Sequence, residues 1–174
     1  EYGVVREAVD DLVEQAGDEA GFSVEENDRA VLLYNAANVG DATFPLGEMG
    51  PMTATASGKA MLATFDDERI EEIIGSYSYA STTEHTITDR DAVLEEVASI
   101  REQGYSLVDQ EFVEGMRSIG VAVRYPDGRL LGALHISAPA YRESLATFRD
   151  AVADTITSAA ADLEQTIADG VGVC

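Results

Sequence analysis

The chain has 174 residues, and its 33 aspartates and glutamates against 11 lysines and arginines leave a net charge of −22, a field that repels nucleic acid phosphates and excludes DNA binding by this stretch of chain itself. Hydrophobic residues make up 45%, and no run approaches the roughly 18 consecutive apolar residues of a membrane span, so the composition describes one soluble globular domain with a real core. The sole cysteine, Cys174 at the chain end, rules out an internal disulfide and fits a tail thiol in a reducing cytoplasm.

Acidic residues are spread through every segment, and ten arginines stand against one lysine, Lys59. That balance matches a proteome adapted to multimolar salt, where screening shortens to a few ångströms and self-repulsion costs little. No basic stretch followed by an apolar one marks a signal peptide, Glu1 is not a methionine, and an upstream segment is expected.

Along the chain, Val5, Val9, Leu12 and Ala16 recur at helical spacing and predict an amphipathic helix over residues 4–16, with Gly17 as its stop. Phe22 and Val24 alternate with polar neighbours, a polar turn covers residues 26–28, and residues 30–36 are a second apolar run, which together predict a hairpin. Gly40, Pro45, Gly47, Gly50 and Pro51 make residues 39–51 a loop that approaches something closely. SGKAMLATF and DDERIEEIIGSY predict two short helices, the second with Ile70, Ile73 and Ile74 inward and Gly75 as its stop. Residues 76–88, rich in Ser, Thr and Tyr, read as a connecting loop.

Thr88 and Asp91 resemble a capping box, Val93, Val97 and Ile100 share one face, and Gly104 ends the helix. YSLVDQEF and SIGVAVRY predict strands, YPDG at residues 125–128 a type I turn, and RLLGALHIS the strand that closes a second hairpin. Leu145, Phe148, Val152, Ile156, Ala159, Leu163 and Ile167 mark a long C-terminal helix. This order predicts an α+β fold, a mostly antiparallel sheet flanked by helices.

Strand parity suggests where a ligand could sit. Ser118, Gly120 and Ala122 share one face, opposed by Ile119, Val121, Val123 and Tyr125; in the partner strand Ala133, His135 and Ser137 share a face, opposed by Leu130, Gly132, Leu134 and Ile136. Two adjacent faces of short side chains either leave a pocket walled by hydroxyls and an imidazole, or let a helix lie close to the sheet. Upstream, the small residues of ATASGKAML lead through Ser57 and Gly58 into a helix start, where amides lack intrahelical partners and attract anions. Lys59 either reinforces that end or pairs with an acidic neighbour outside the pocket. His85 reads as a solvated loop residue, and two separated histidines without clustered cysteines make no metal site.

PMTATASGKAMLA, LEEVASIREQGYSLVDQEF and GMRSIGVAVRYPDGRLLGALHISAPAYR, in that order and spacing, resemble the effector-binding domain of IclR-type transcription regulators. The resemblance runs from about Val5 to Leu163 and, with the composition, suggests a halophilic archaeal source. It implies a GAF-like fold with helices on both faces of the central sheet, no cofactor, and a small effector, often an organic or aromatic acid. It further implies a homodimer or tetramer in the cytoplasm, with residues 1–174 one effector-binding domain, residues 1–17 its linker helix, and DNA bound only through an upstream winged helix-turn-helix.

Carried over by position, the resemblance places effector contacts at Ala42, Ala56, Ser57, Met116, Ser118, His135 and Ser137. Here His135 and Ala138 stand where the family has Ser and Gly, and Val108 stands where it has an acidic residue, with Asp109 beside it on the opposite strand face. His135 can serve an anionic effector as donor or partial cation, or be a satisfied buried imidazole. The alternatives are a GAF-type sensor with a different output, and a small hydrolase using His135 as base and Ser118 or Ser137 as nucleophile; the hydrolase lacks a GxSxG elbow.

Overall fold

The computed structural model describes residues 2–16, 18–76 and 81–170. Gly17 with its expected helix stop, residues 77–80 of the Ser, Thr and Tyr-rich loop, Glu1 and the tail with Cys174 lie outside the described residues.

The chain runs α1 (Tyr2–Ala16), β1 (Glu19–Glu26), β2 (Arg29–Ala37), β3 (Met49–Pro51), α2 (Ala56–Leu62), α3 (Asp67–Ser76), α4 (Arg90–Gln103), β4 (Ser106–Asp109), β5 (Met116–Arg124), β6 (Leu130–Pro139) and α5 (Leu145–Ala168). The strands form one antiparallel sheet in the order β3-β2-β1-β6-β5-β4, so the strands from the two ends of the domain meet at its centre. On one face α1 and α5 bury Val5, Val9, Leu12, Phe148, Val152, Ile156 and Leu163 against Phe22, Ile119, Leu134 and Ile136. On the other, α2 lies on β5 and β6, while α3 and α4 pack around it through Met61, Leu62, Ile70, Ile73, Val93 and Val97. This is the expected α+β, GAF-like layout with helices on both faces.

Local chemistry accounts for most boundaries. Asn27 and Asp28 both take left-handed backbone angles, the geometry that closes a two-residue hairpin between β1 and β2. The Gly128 amide donates to Tyr125 O at 2.8 Å, closing the turn between β5 and β6. Gly104 caps α4 in the left-handed conformation and donates to Ile100 O.

Several expectations are corrected. Asp89, not the Thr88 and Asp91 pair, caps α4: its carboxylate accepts from the Ala92 amide at 3.0 Å, while Asp91 pairs with Arg90. Gly75 does not stop α3, which runs through it to Ser76. The end of the breaker-rich loop is a strand, β3, paired with the first residues of β2. The strand expected to reach Phe112 ends at Asp109, because Gln110 adopts a left-handed backbone and turns the chain. Leu130 does not share a face with Gly132, Leu134 and Ile136; an irregularity in the register opposite Val123 and Arg124 moves it to the α2 side and leaves Leu131 on the α1–α5 side. One added residue reverses a period-two pattern.

Gly120 sets how close α2 comes. A Cβ there would stand 2.5 Å from Ala56 O and 2.6 Å from Ala56 C, backbone atoms that cannot swing aside. Gly120→Ala is therefore expected to cost ~1–3 kcal/mol by displacing the start of α2. Gly75→Ala, in a helix with open space around that position, should stabilise by ~0.4–1 kcal/mol. Urea unfolding at fixed KCl measures both.

Candidate functional site

The strand face that carries Ser118, Gly120, Ala122, Ala133, His135 and Ser137 does two things at two ends. At the Ala133 end it is filled by α2 and its neighbours, with Ala133 fully buried among them. Towards Ser118 and Ser137 the helix ends and a cavity of about 80 Å³ opens. One water needs roughly 10–15 Å³ of such space, so it can take a compact organic molecule. Its polar end holds Ser57, Ser118, His135 and Ser137; its apolar wall is made by Leu32, Phe44, Val108, Phe112, Val113 and Met116. Ser23, Ala30, Glu48, Gly50, Thr55 and Ala56 complete the lining.

Six of the seven positions singled out from the sequence, Ala56, Ser57, Met116, Ser118, His135 and Ser137, border this one cavity. Ala42 does not. Its neighbour Thr43 donates its amide to Glu19 Oε2 at 2.9 Å, and Asn35 Nδ2 donates to Phe44 O at 2.7 Å, so the loop reaches the cavity through Phe44 and Glu48 instead. Phe44 meets Phe112 from the loop after β4, their ring centroids 6.4 Å apart. Alternation along β1 could have pointed to Ser23, but nothing local in the sequence distinguishes Phe44, Glu48 or Phe112. Val108 lines the cavity, and Asp109 turns to the opposite face, where it pairs with Arg117 at 2.7 Å.

The polar end is knit together before any ligand arrives. Ser57 Oγ lies 3.0 Å from His135 Nδ1, and the Ser118 and Ser137 hydroxyls are 2.7 Å apart. The imidazole sits over Gly21, where a Cβ would come within 2.5 Å of Cε1, so its place exists only because residue 21 has no side chain. Burial drives the His135 pKa down to about 4, with the Glu19 carboxylate a weaker opposing influence. The ring is neutral near pH 7, which removes the partial-cation role and leaves a hydrogen-bonding wall. Its partner is Ser57, not the Ser118 or Ser137 nucleophile of the hydrolase alternative, and a base of such low pKa is poorly matched to that chemistry.

At the start of α2, Thr55 accepts the Gly58 amide at 3.1 Å and donates its hydroxyl to Pro51 O. Among the described residues the Ala56 and Ser57 amides have no protein acceptor. Lys59 belongs to a different structure: 2% exposed, its Nζ lies 2.7 and 2.8 Å from the two Glu111 carboxylate oxygens and 3.2 Å from Glu96. Desolvation raises the Glu111 pKa above the usual carboxylate range, against the pull of Lys59. The hydroxyls of Thr83 and Thr86 donate to Gln110 O and Glu111 O, each at 2.6 Å, and hold the same loop from outside. His85 lies in the exposed loop, 3.5 Å from Glu84, and no cluster of metal-ligating side chains occurs among the described residues.

Comparison with known proteins agrees with this architecture. Residues 3–165 match the family model described as the bacterial transcriptional regulator IclR C-terminal domain. The HTH-type transcriptional regulator ArcR of Halobacterium salinarum is 29% identical over 94% of this chain and 64% of its own length. KdgR of Escherichia coli is 36% identical over 66% of this chain and 43% of its own. The chain thus spans between 43% and 64% of the length of these relatives. The crystal structure of the KdgR C-terminal domain superposes with a TM-score of 0.83 at 27% identity, covering 94% of this chain and 95% of that one. The inducer-binding domain of PobR from Acinetobacter, solved with 3-hydroxybenzoic acid, superposes with a TM-score of 0.84 at 25% identity, covering 93% and 96%.

Lys59→Met leaves the buried Glu111 carboxylate without its counter-charge and is expected to cost ~3–5 kcal/mol, whereas Lys59→Met combined with Glu111→Gln should recover part of that loss in urea unfolding. His135 supplies a pH signature. Its folded pKa of about 4 lies below the ordinary 6.5, so its contribution to stability is complete above about pH 6.5 and is lost as pH falls toward 4. At about 1.4 kcal/mol per pH unit the loss approaches ~3 kcal/mol, and His135→Asn should remove that component from the pH profile of unfolding.

Proposed function

This chain belongs to the IclR family of transcription regulators, and we propose that its cavity binds a small carboxylate-bearing effector that modulates DNA binding elsewhere in the full protein. The observation that carries this reading is the polar end of the cavity. There Ala56 and Ser57, whose amides have no protein acceptor among the described residues, line the cavity together with Ser118, His135 and Ser137, and the rest of the lining includes the apolar side chains of Leu32, Phe44, Val108, Phe112 and Met116. Unbonded amides at a helix start favour an anionic oxygen, and hydroxyls can turn to donate to it. The apolar wall suits the carbon skeleton of an organic or aromatic acid, the class to which the 3-hydroxybenzoic acid in the structure of the PobR inducer-binding domain belongs.

In this reading the effector lies against Phe44 and Phe112, which meet at the cavity with ring centroids 6.4 Å apart. It shifts the balance between arrangements of a homodimer or tetramer only to the extent that it binds one arrangement more tightly. In this reading the output is a winged helix-turn-helix outside residues 1–174, in keeping with relatives named HTH-type transcriptional regulators of which this chain spans only part, and the site of action is the cytoplasm. With a net charge of −22, residues 1–174 act on DNA through that partner segment and not by contact of their own. No described helix is long and apolar enough to cross a membrane. The relatives are transcription regulators, in keeping with a non-enzymatic role.

A thermal-shift screen of small carboxylates at molar KCl tests the proposal. A specific ligand at about one hundred times its Kd should add ~2.7 kcal/mol of stability, and Met116→Trp, which fills the cavity, should abolish that gain while the unliganded protein remains folded. Stabilisation that survives in Met116→Trp would place binding outside this cavity.

A further inference from the structure

Charge is the property of the cavity that a carboxylate effector leaves unexplained. Its lining holds two ionisable side chains, Glu48 and His135, and no lysine or arginine among the described residues. Lys59, the cation nearest in sequence to the Ala56 and Ser57 amides, faces away and is committed to Glu111 and Glu96. Arg117 is on the other sheet face, bound to Asp109 and to the Ala140 and Glu143 carbonyls. Glu48 is half-buried and its carboxylate has no partner among the described residues, although its backbone is held by Leu32 and Pro45. The neutral imidazole offers no positive charge either.

A simple monocarboxylate would therefore share a small, partly desolvated space with an unpaired carboxylate and no counter-ion, and charges in such a space are weakly screened even in concentrated salt. Resting on the effector-binding reading above, we propose that the effector is a zwitterion of the amino acid type, its carboxylate at the hydroxyl end of the cavity, Ser57, Ser118 and Ser137, and its ammonium group paired with Glu48. Such a ligand balances its own carboxylate and supplies the donors that Glu48 lacks. The size of the cavity suits an aliphatic member of that class, with the side chain against Leu32, Phe112 and Met116.

The experiment is calorimetric titration at molar KCl with matched triplets: L-alanine, L-lactate and propanoate; L-valine, L-2-hydroxy-3-methylbutanoate and 3-methylbutanoate; L-leucine, L-2-hydroxy-4-methylpentanoate and 4-methylpentanoate. At least one amino acid is expected to bind roughly tenfold or more tightly than both of its twins, and Glu48→Gln should bring the three to within about twofold of one another. Equal or tighter binding of the hydroxy or unsubstituted acids, a preference that persists in Glu48→Gln, or no binding by any amino acid overturns the proposal. If Glu48→Gln does not fold, the comparison within the unaltered protein still decides. Equal or tighter binding of the unsubstituted acids that Met116→Trp removes would reject the zwitterion and keep the effector site; carboxylate binding that Met116→Trp leaves intact would reject both.

Discussion

A single ammonium group, buried in a protein whose charge is overwhelmingly negative, ties together the parts that make the cavity. Lys59 reaches from α2 to Glu111 in the loop after β4, and to Glu96 on α4, with its side chain 2% exposed. Burying a charge is costly unless geometry and hydrogen bonding compensate, and here the ammonium is matched by both oxygens of one carboxylate and one of another. Through that contact the helix supplying Ala56 and Ser57 is joined to the loop supplying Phe112 and Val113. A surface ion pair would weaken in concentrated salt; a buried one is largely sheltered.

The close approach of α2 to the sheet is the complementary constraint. Gly120 admits the Ala56 carbonyl, and Ser106, buried on β4, donates to that same oxygen at 2.6 Å. The helix start is thereby pinned against β5 and β4, which fixes where its amides stand. The two readings of the short side chains on this face are both true at different positions: Gly120 and Ala133 accommodate packing, whereas Ser118 and Ser137 border open space. A helix of only seven residues cannot cover the whole face, and the cavity is what it leaves.

The polar end shows the same economy of small residues. His135 occupies space that Gly21 leaves free, and Ser57 holds its ring from the α2 side. The imidazole thus bridges the sheet and the helix, and its burial keeps it neutral near pH 7 despite the Glu19 carboxylate. Across the mouth, Glu19 and Asn35 anchor the loop that brings Phe44 and Glu48 inward. The cavity is thus lined at this end by hydroxyls and a neutral imidazole, with one carboxylate, Glu48, in the same lining.

Much of this was legible in the residues alone. The three-to-four residue spacing of Val5, Val9 and Leu12, and of Phe148, Val152 and Ile156, identifies α1 and α5 because a buried helical stripe must repeat that way. Period-two alternation likewise places Ser118, His135 and Ser137 on one face, since adjacent strands share their pleat. Element ends were less legible where competing signals lay one residue apart, as with Thr88 and Asp89, or where a register irregularity reversed the alternation at Leu130. Beyond local periodicity, only tertiary structure decided that Lys59 meets Glu111 across 52 positions and that Phe44 and Glu48, rather than Ala42, reach the cavity. Those contacts join segments far apart along the chain, and local pattern carries no information about distances that folding alone brings to a few ångströms.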